Sequence, residues 1–347
     1  MRSKLCALVF LAVLGAPPLA RADGQKLKII SWADYVPAEV IAAFKKETGI
    51  DVELTLSNNE EMISKLRATG GAGYDLAQPS IDRIGGPQTE FGIYKPIDPS
   101  KVKLDQFQPE LLDIARKNAT IDGKLYALPY LWGTDGLVVN TKVAPQVKDY
   151  PDLCKPELKG KTSVRLRRPT LIAFAFAAGK DPFALYADQK AYDALMEQVG
   201  VTLSACKANL KFFYDNKDQL LNGMRSGELV AAMMWDTGGW KLHQENPDIQ
   251  FIVPRSGALG WLDTYALPAR SRNEAGAYAW INFTSRPEIA SKISKAVGSF
   301  SAAKGTDGVI DPKLKTASLQ NIHWYPSIPA GIENFEGKVL DRIKAAN

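Results

Sequence analysis

Short apolar runs alternate with amphipathic segments from one end of the chain to the other, and that alternation points to α/β architecture. Leu27 to Ser31 reads as a first strand, ending in the polar-aromatic turn Trp32-Ala33-Asp34-Tyr35. A helix follows, with Pro37 early in it, Val40, Ile41 and Phe44 on one face and Gly49 as its stop. Asp51 to Leu56 alternates as a strand, and Ser57 to Glu60 has the spacing of a capping box that opens a helix through Met62, Ile63 and Leu66. Tyr74 to Ala77 is a further short strand, leading to Gln78-Pro79-Ser80. Lys124 to Val138 holds two extended segments around Trp132-Gly133-Thr134-Asp135-Gly136, a crossover into a second domain. Ser163 to Leu166 and Leu229 to Met234 are strands ending at Arg167-Arg168-Pro169 and Trp235-Asp236. Ile249 to Pro254 and Trp261 to Leu267 are strands again, with Trp261-Leu262-Asp263 beginning a return crossover.

The N-terminus sets the compartment. Arg2 and Lys4 precede an apolar run, Leu5 to Ala16, that is too short to span a bilayer as a stable helix. Ala20-Arg21-Ala22 supplies small residues for a signal peptidase, so residues 1–22 read as a signal peptide and Asp23 as the mature start. Without the signal, Lys plus Arg falls from 43 to 40 against 38 acids, leaving a nearly neutral protein. No basic cluster then remains to recruit nucleic acid or a membrane surface. About 325 residues exceed what one core fills, so two domains are expected. Cys154 and Cys206 are the cysteines of the mature chain, and an oxidising compartment favours a disulfide between them.

Polar and aromatic residues recur at the strand ends: Trp32, Asp34, Ser80, Arg167, Trp235, Asp236, Trp261 and Asp263. Open α/β sheets bind ligands there. Each tryptophan taken singly is as well explained as core. Catalytic apparatus is absent from the sequence, with no G-x-S-x-G elbow, H-E-x-x-H or Walker A loop. His243 and His323, the two histidines, lack metal-ligand spacing and read as surface or satisfied-core residues, so no metal and no cofactor are expected. Thr69-Gly70-Gly71-Ala72-Gly73 follows a helix and precedes a strand, the wrong order for a dinucleotide loop, and reads as a turn.

Several of these segments together resemble the periplasmic polyamine-binding proteins, the spermidine/putrescine receptors of ABC importers. The resemblance rests on Ser31-Trp32-Ala33-Asp34-Tyr35, Phe44 to Gly49, Tyr74-Asp75-Leu76 leading to Pro79-Ser80, Leu128-Pro129-Tyr130, and Trp261-Leu262-Asp263 with Pro268, in consistent order over nearly the whole mature chain. It implies a two-lobed, type II periplasmic-binding-protein fold with a hinge of crossing strands and a ligand cleft between the lobes. The expected lobes are 23–133 plus 261–304, and 134–260 plus 305–347. It implies a membrane permease and an ATPase as partners; the receptor is expected to be a monomer that does not bind nucleic acid. It further implies an aromatic box with carboxylates for ammonium groups, matched here by Trp32, Asp34, Ser80, Trp235, Trp261 and Asp263, with Tyr35 beside them as a further candidate for ligand binding. Helix or turn capping is the competing role for Asp34 and Asp263.

The chain departs from the family where those receptors carry acids. Leu166-Arg167-Arg168-Pro169-Thr170 replaces a segment resembling Leu-Asp-Ala-Pro-Glu, and Gly238 stands where an acid follows the tryptophan, with Asp236 directly behind Trp235 instead. Arg167 beside a helix N-terminus forms an anion site, with Asp34, Asp236 or Asp263 left for a cation. Arg165 and Arg168 read as structural or solvent-facing. The expected ligand is a short zwitterion, an ω-amino acid such as γ-aminobutyrate or an aminophosphonate. The alternative is putrescine or spermidine, with Arg167 in an internal salt bridge; a secreted enzyme on a similar small ligand is a distant third.

Overall fold

The computed structural model of the protein describes residues 26–214, 217–310 and 321–346. The proposed signal segment and Asp23 lie outside the described residues. One mixed sheet carries the fold. Its strands run in the order Asp51–Leu56, Lys26–Ser31, Leu76–Ala77, Ala258–Pro268, Ala127–Asn140, Ala231–Trp235, Thr162–Val164 and Phe212–Phe213. The first three pair in parallel, and so do the last three. The two long strands in the middle pair antiparallel with each other.

Those two strands divide the core. Leu27, Phe44, Leu76, Trp132, Leu262 and Trp280 belong to one apolar cluster. Leu137, Val164, Tyr192, Leu259 and Ile343 belong to a second, and Val138, Met234 and Phe251 to a third on the same side. The changeover therefore falls between Trp132 and Leu137 on one strand and between Leu259 and Leu262 on the other. Ile310 buries in the first cluster. The chain is thus two-lobed, with the lobes joined through paired strands.

Local chemistry explains most boundaries. The helix Ala38–Thr48 ends at Gly49, whose φ of 76° is the left-handed cap that a side chain disfavours. The next helix, Asn59–Thr69, is capped by Asn58, which accepts from the Glu61 N–H at 2.9 Å; Ser57, the expected cap, lies one residue too early. Thr69 to Gly73 is the turn that ends this helix, with Gly70, Gly71 and Gly73 all at positive φ. Ala127–Asn140 is a single 14-residue strand rather than two segments. At about 3.3 Å per residue it is long enough to serve both lobes. Cys154 and Cys206 form a disulfide with Cα atoms 4.8 Å apart, pinning the short helical turn Tyr150–Cys154 to the helix Gln189–Lys207.

Candidate functional site

Where the sheet passes from one lobe to the other, the strand ends open into a cavity of about 980 Å³. At its first-lobe end lies Asp263, only 3% exposed. The pairing register of its strand shifts between Leu262 and Thr264, and this irregularity sets Asp263 opposite Ser80. Its carboxylate accepts from Tyr35 Oη at 2.6 Å and from Ser80 Oγ at 2.5 Å. Asn59 orients the serine by donating to its Oγ while accepting from its backbone N–H, both at 3.0 Å. Tyr130 Oη in turn donates to the Tyr35 carbonyl at 2.6 Å. Burial pushes the Asp263 carboxyl up to about 7 despite the two hydroxyl donors, which favour the ionised form. A cation beside it would favour ionisation further.

The middle of the cavity is aromatic. Trp32 and Trp261 line it, and Trp32 sits 6.2 Å from the Tyr35 ring. The Trp261 indole lies over Gly133 on the neighbouring strand: a Cβ there would stand 2.4 Å from its Cζ2. Gly133 is therefore what lets the ring lie flat at the cleft floor.

The second-lobe end holds Trp235, Asp135, Arg165 and Arg167. The strand Thr162–Val164 stops before the arginines because the chain turns there. The Arg167 N–H and the Thr170 hydroxyl both donate to the Arg165 carbonyl. Arg165 and Arg167 are thus not on one strand face, yet both line the cavity. The Arg165 guanidinium lies 5.0 Å from the Trp235 ring centre, a cation–π contact. Its Nε is buried without a hydrogen-bond partner among the described residues. Arg167 is exposed to the cavity at the start of the helix Arg168–Ala177 and forms no ion pair among the described residues. Gly238 lies against the thioether end of Met234, which occupies the space where a side chain at this position would start.

Two expected site residues are elsewhere. Asp34 is exposed at the cleft lip with φ 68°, 3.9 Å from Lys217 of the other lobe, and does not line the cavity. Asp236 is 2% exposed and turns inward, accepting from the Thr134 N–H at 2.8 Å, the Thr134 hydroxyl at 3.0 Å and the Thr237 N–H at 2.7 Å. It is a clamp on the crossing strand. Burial raises its carboxyl to about 7. Arg168, read as structural or solvent-facing, is structural: it reaches Glu336 at 3.0 Å and Asp82 at 3.6 Å and contacts the Tyr186 hydroxyl. Asp82 belongs to the first lobe and Glu336 to the second, so Arg168 ties the cleft walls together, as does the ion pair of Arg83 with Glu333. The histidines are satisfied by backbone: His243 Nδ1 lies 2.8 Å from the Ile249 carbonyl and His323 Nε2 lies 2.7 Å from that of Ser256. Among the described residues no cluster with metal-ligating potential occurs. Sequence reasoning missed Asp135 and Arg165 as cavity residues, and Asn59 as the group that aims Ser80.

Residues 39–317 match the family of bacterial extracellular solute-binding proteins. The spermidine/putrescine-binding periplasmic protein of Escherichia coli (strain K12) is 31% identical over 339 residues, which span 93% of this chain and 92% of that protein. The putrescine-binding periplasmic protein of the same organism is 29% identical over 345 residues, covering 92% and 88%. Among solved structures, a putative spermidine/putrescine ABC transporter protein from Listeria monocytogenes superposes with a TM-score of 0.79 at 23% identity, covering 93% of this chain and all of that one.

Proposed function

The chain belongs to the bacterial extracellular solute-binding proteins, within their polyamine type that serves ABC importers, and on that premise we propose that its cleft captures a small primary amine. Proteins of this kind bind a small molecule and work with permease and ATPase subunits; they are receptors, not enzymes. The reading rests above all on Asp263: a buried carboxylate with two neutral hydroxyl donors and no ion pair among the described residues, facing a cavity walled by tryptophans. A buried carboxylate needs a charge partner, and an ammonium group supplies one. Trp32 and Trp261 add cation–π attraction and cover the ligand's methylenes.

The names of the relatives support putrescine or spermidine as the guest. One observation favours a short zwitterion instead: Arg167 opens onto the cavity without an ion-pair partner among the described residues, where a guanidinium would repel the second ammonium of a diamine. On either reading the lobes 23–133 plus 261–304 and 134–260 plus 305–347 close on the ligand, in a monomeric protein exported to the periplasm. A thermal-shift panel of putrescine, spermidine, γ-aminobutyrate, 5-aminovalerate and 2-aminoethylphosphonate tests this reading. A receptor at 100 times its Kd gains about 2.7 kcal/mol of stability. Shifts with members of this panel support the amine; no shift with any of them contradicts it.

A further inference from the structure

The second-lobe end of the cavity carries a charge pattern that neither a bare ammonium nor a bare carboxylate matches. Asp135 is 7% exposed, lines the cavity, and has no hydrogen-bond donor or ion pair within reach among the described residues. The charges that act on it are Arg165, which favours its ionised form, and the more distant Asp236, which opposes it; burial outweighs both and raises its carboxyl to about 7. Its neighbour Arg165 has a buried Nε without a partner, and Arg167 stands open on the same wall. One carboxylate and two guanidiniums therefore converge where the far end of a ligand would lie. The complementary group carries both an ammonium and a carboxylate.

The spacing to the other end follows from the register. Leu259 pairs with Asp135 across the two long strands, and Asp263 is four residues further along. At about 3.3 Å per residue this separates the two aspartate positions by roughly 13 Å. A span of that order puts the two carboxylates at opposite ends of the cavity, with room between them for a short ligand that hydrogen-bonds at both ends. The Trp261 indole, lying over Gly133, occupies the interval and would cover that chain.

We infer that the ligand is a small diamino acid such as ornithine or lysine, its distal ammonium on Asp263, its α-ammonium on Asp135 and its carboxylate on Arg165 and Arg167. This rests on the primary-amine reading above and adds a head group to it.

Titration calorimetry of the mature protein with ornithine, lysine, putrescine and 5-aminovalerate tests the inference, because putrescine is ornithine without its carboxylate and 5-aminovalerate is ornithine without its α-amino group, while lysine adds one methylene. The expected result is ornithine or lysine bound about tenfold or more tighter than both putrescine and 5-aminovalerate. In Asp135→Asn that advantage over 5-aminovalerate disappears, while 5-aminovalerate itself changes by less than about threefold. If Asp135→Asn does not fold, Asp135→Glu and the wild-type ranking carry the test. Putrescine equal to or tighter than the diamino acids overturns the inference and leaves the amine reading standing, as does an unchanged advantage in Asp135→Asn. Failure of all four ligands to bind overturns the inference, and the amine reading falls with it only if spermidine, γ-aminobutyrate and 2-aminoethylphosphonate also fail to bind.

Discussion

Three buried aspartates, Asp135, Asp236 and Asp263, share a carboxyl raised to about 7, and in each case burial is the largest cause. Between about pH 4, the ordinary aspartate value, and 7 the folded chain holds protons that the unfolded chain has lost. Raising the pH across that window therefore favours unfolding, so the ligand-free protein should melt at a higher temperature at pH 5.5 than at pH 7.5. A cationic ligand reverses the preference at Asp263, because it needs the ionised form. Its affinity should weaken as pH falls below about 7, by up to tenfold per unit for each carboxylate engaged. Calorimetric melts and titrations at both pH values check the pair of trends. Gly133 gives a second residue-scale prediction: a Cβ there would stand 2.4 Å from the Trp261 ring and 2.9 Å from Asp236 Oδ1, so Gly133→Ala should weaken amine binding by about tenfold in a titration and also lower the melting temperature. The sequence nominated Asp263 and Asp236 because both lie at or beside strand ends, and passed over Asp135, which follows Thr134 within a long strand. Only the fold shows that Asp236 turns back onto Thr134 while Asp135 lines the cavity.

The elements were legible where periodicity and caps coincide. The strand Asp51–Leu56 and the helix ended by Gly49 lie where the pattern placed them, because alternation and a left-handed glycine are local signals. Ala127–Asn140 was not legible as one strand, since its glycines look like a turn until Trp261 and Phe251 are seen packing over them. The Arg165 turn was hidden for a related reason: the hydrogen bonds from Arg167 and Thr170 that break the strand are invisible in a run of arginines. The disulfide belongs to this scale as well. It closes a sequence separation of 52 residues between a loop and a helix. Loop-closure entropy puts its contribution near 4 kcal/mol. Reduction, or Cys154→Ala with Cys206→Ala, should lower the unfolding free energy by about 2–5 kcal/mol in a denaturant titration without changing the ligand ranking.

At the scale of the molecule, several ion pairs join the two walls of the cleft. Arg168 links Asp82 to Glu336, Arg83 meets Glu333, and Asp34 faces Lys217 at the lip. The buried member matters most. Burial opposes ionisation of Glu336, and the Arg168 guanidinium is the main charge that offsets it. Arg168→Met should therefore destabilise the fold by about 3–5 kcal/mol, because it strands a buried carboxylate, whereas Asp34→Ala at the exposed lip should change stability by less than about 1 kcal/mol. Chemical denaturation of the two variants separates these outcomes. Two α/β domains were readable from length and alternation, and the two-lobed plan from the family resemblance, but the ion pairs that join the lobes were not, because their partners lie far apart in the chain.

The central claim is that Asp263 anchors the ammonium group of a small amine in this cleft. Titration calorimetry of wild type and Asp263→Asn against putrescine, spermidine, ornithine, lysine, 5-aminovalerate and γ-aminobutyrate tests it most directly. The account predicts one-to-one binding of at least one of these by the wild type, weakened by 2–5 kcal/mol, about thirtyfold or more, in a variant whose melting remains cooperative. Affinity retained in Asp263→Asn, or a wild-type protein that binds none of the six, would contradict it.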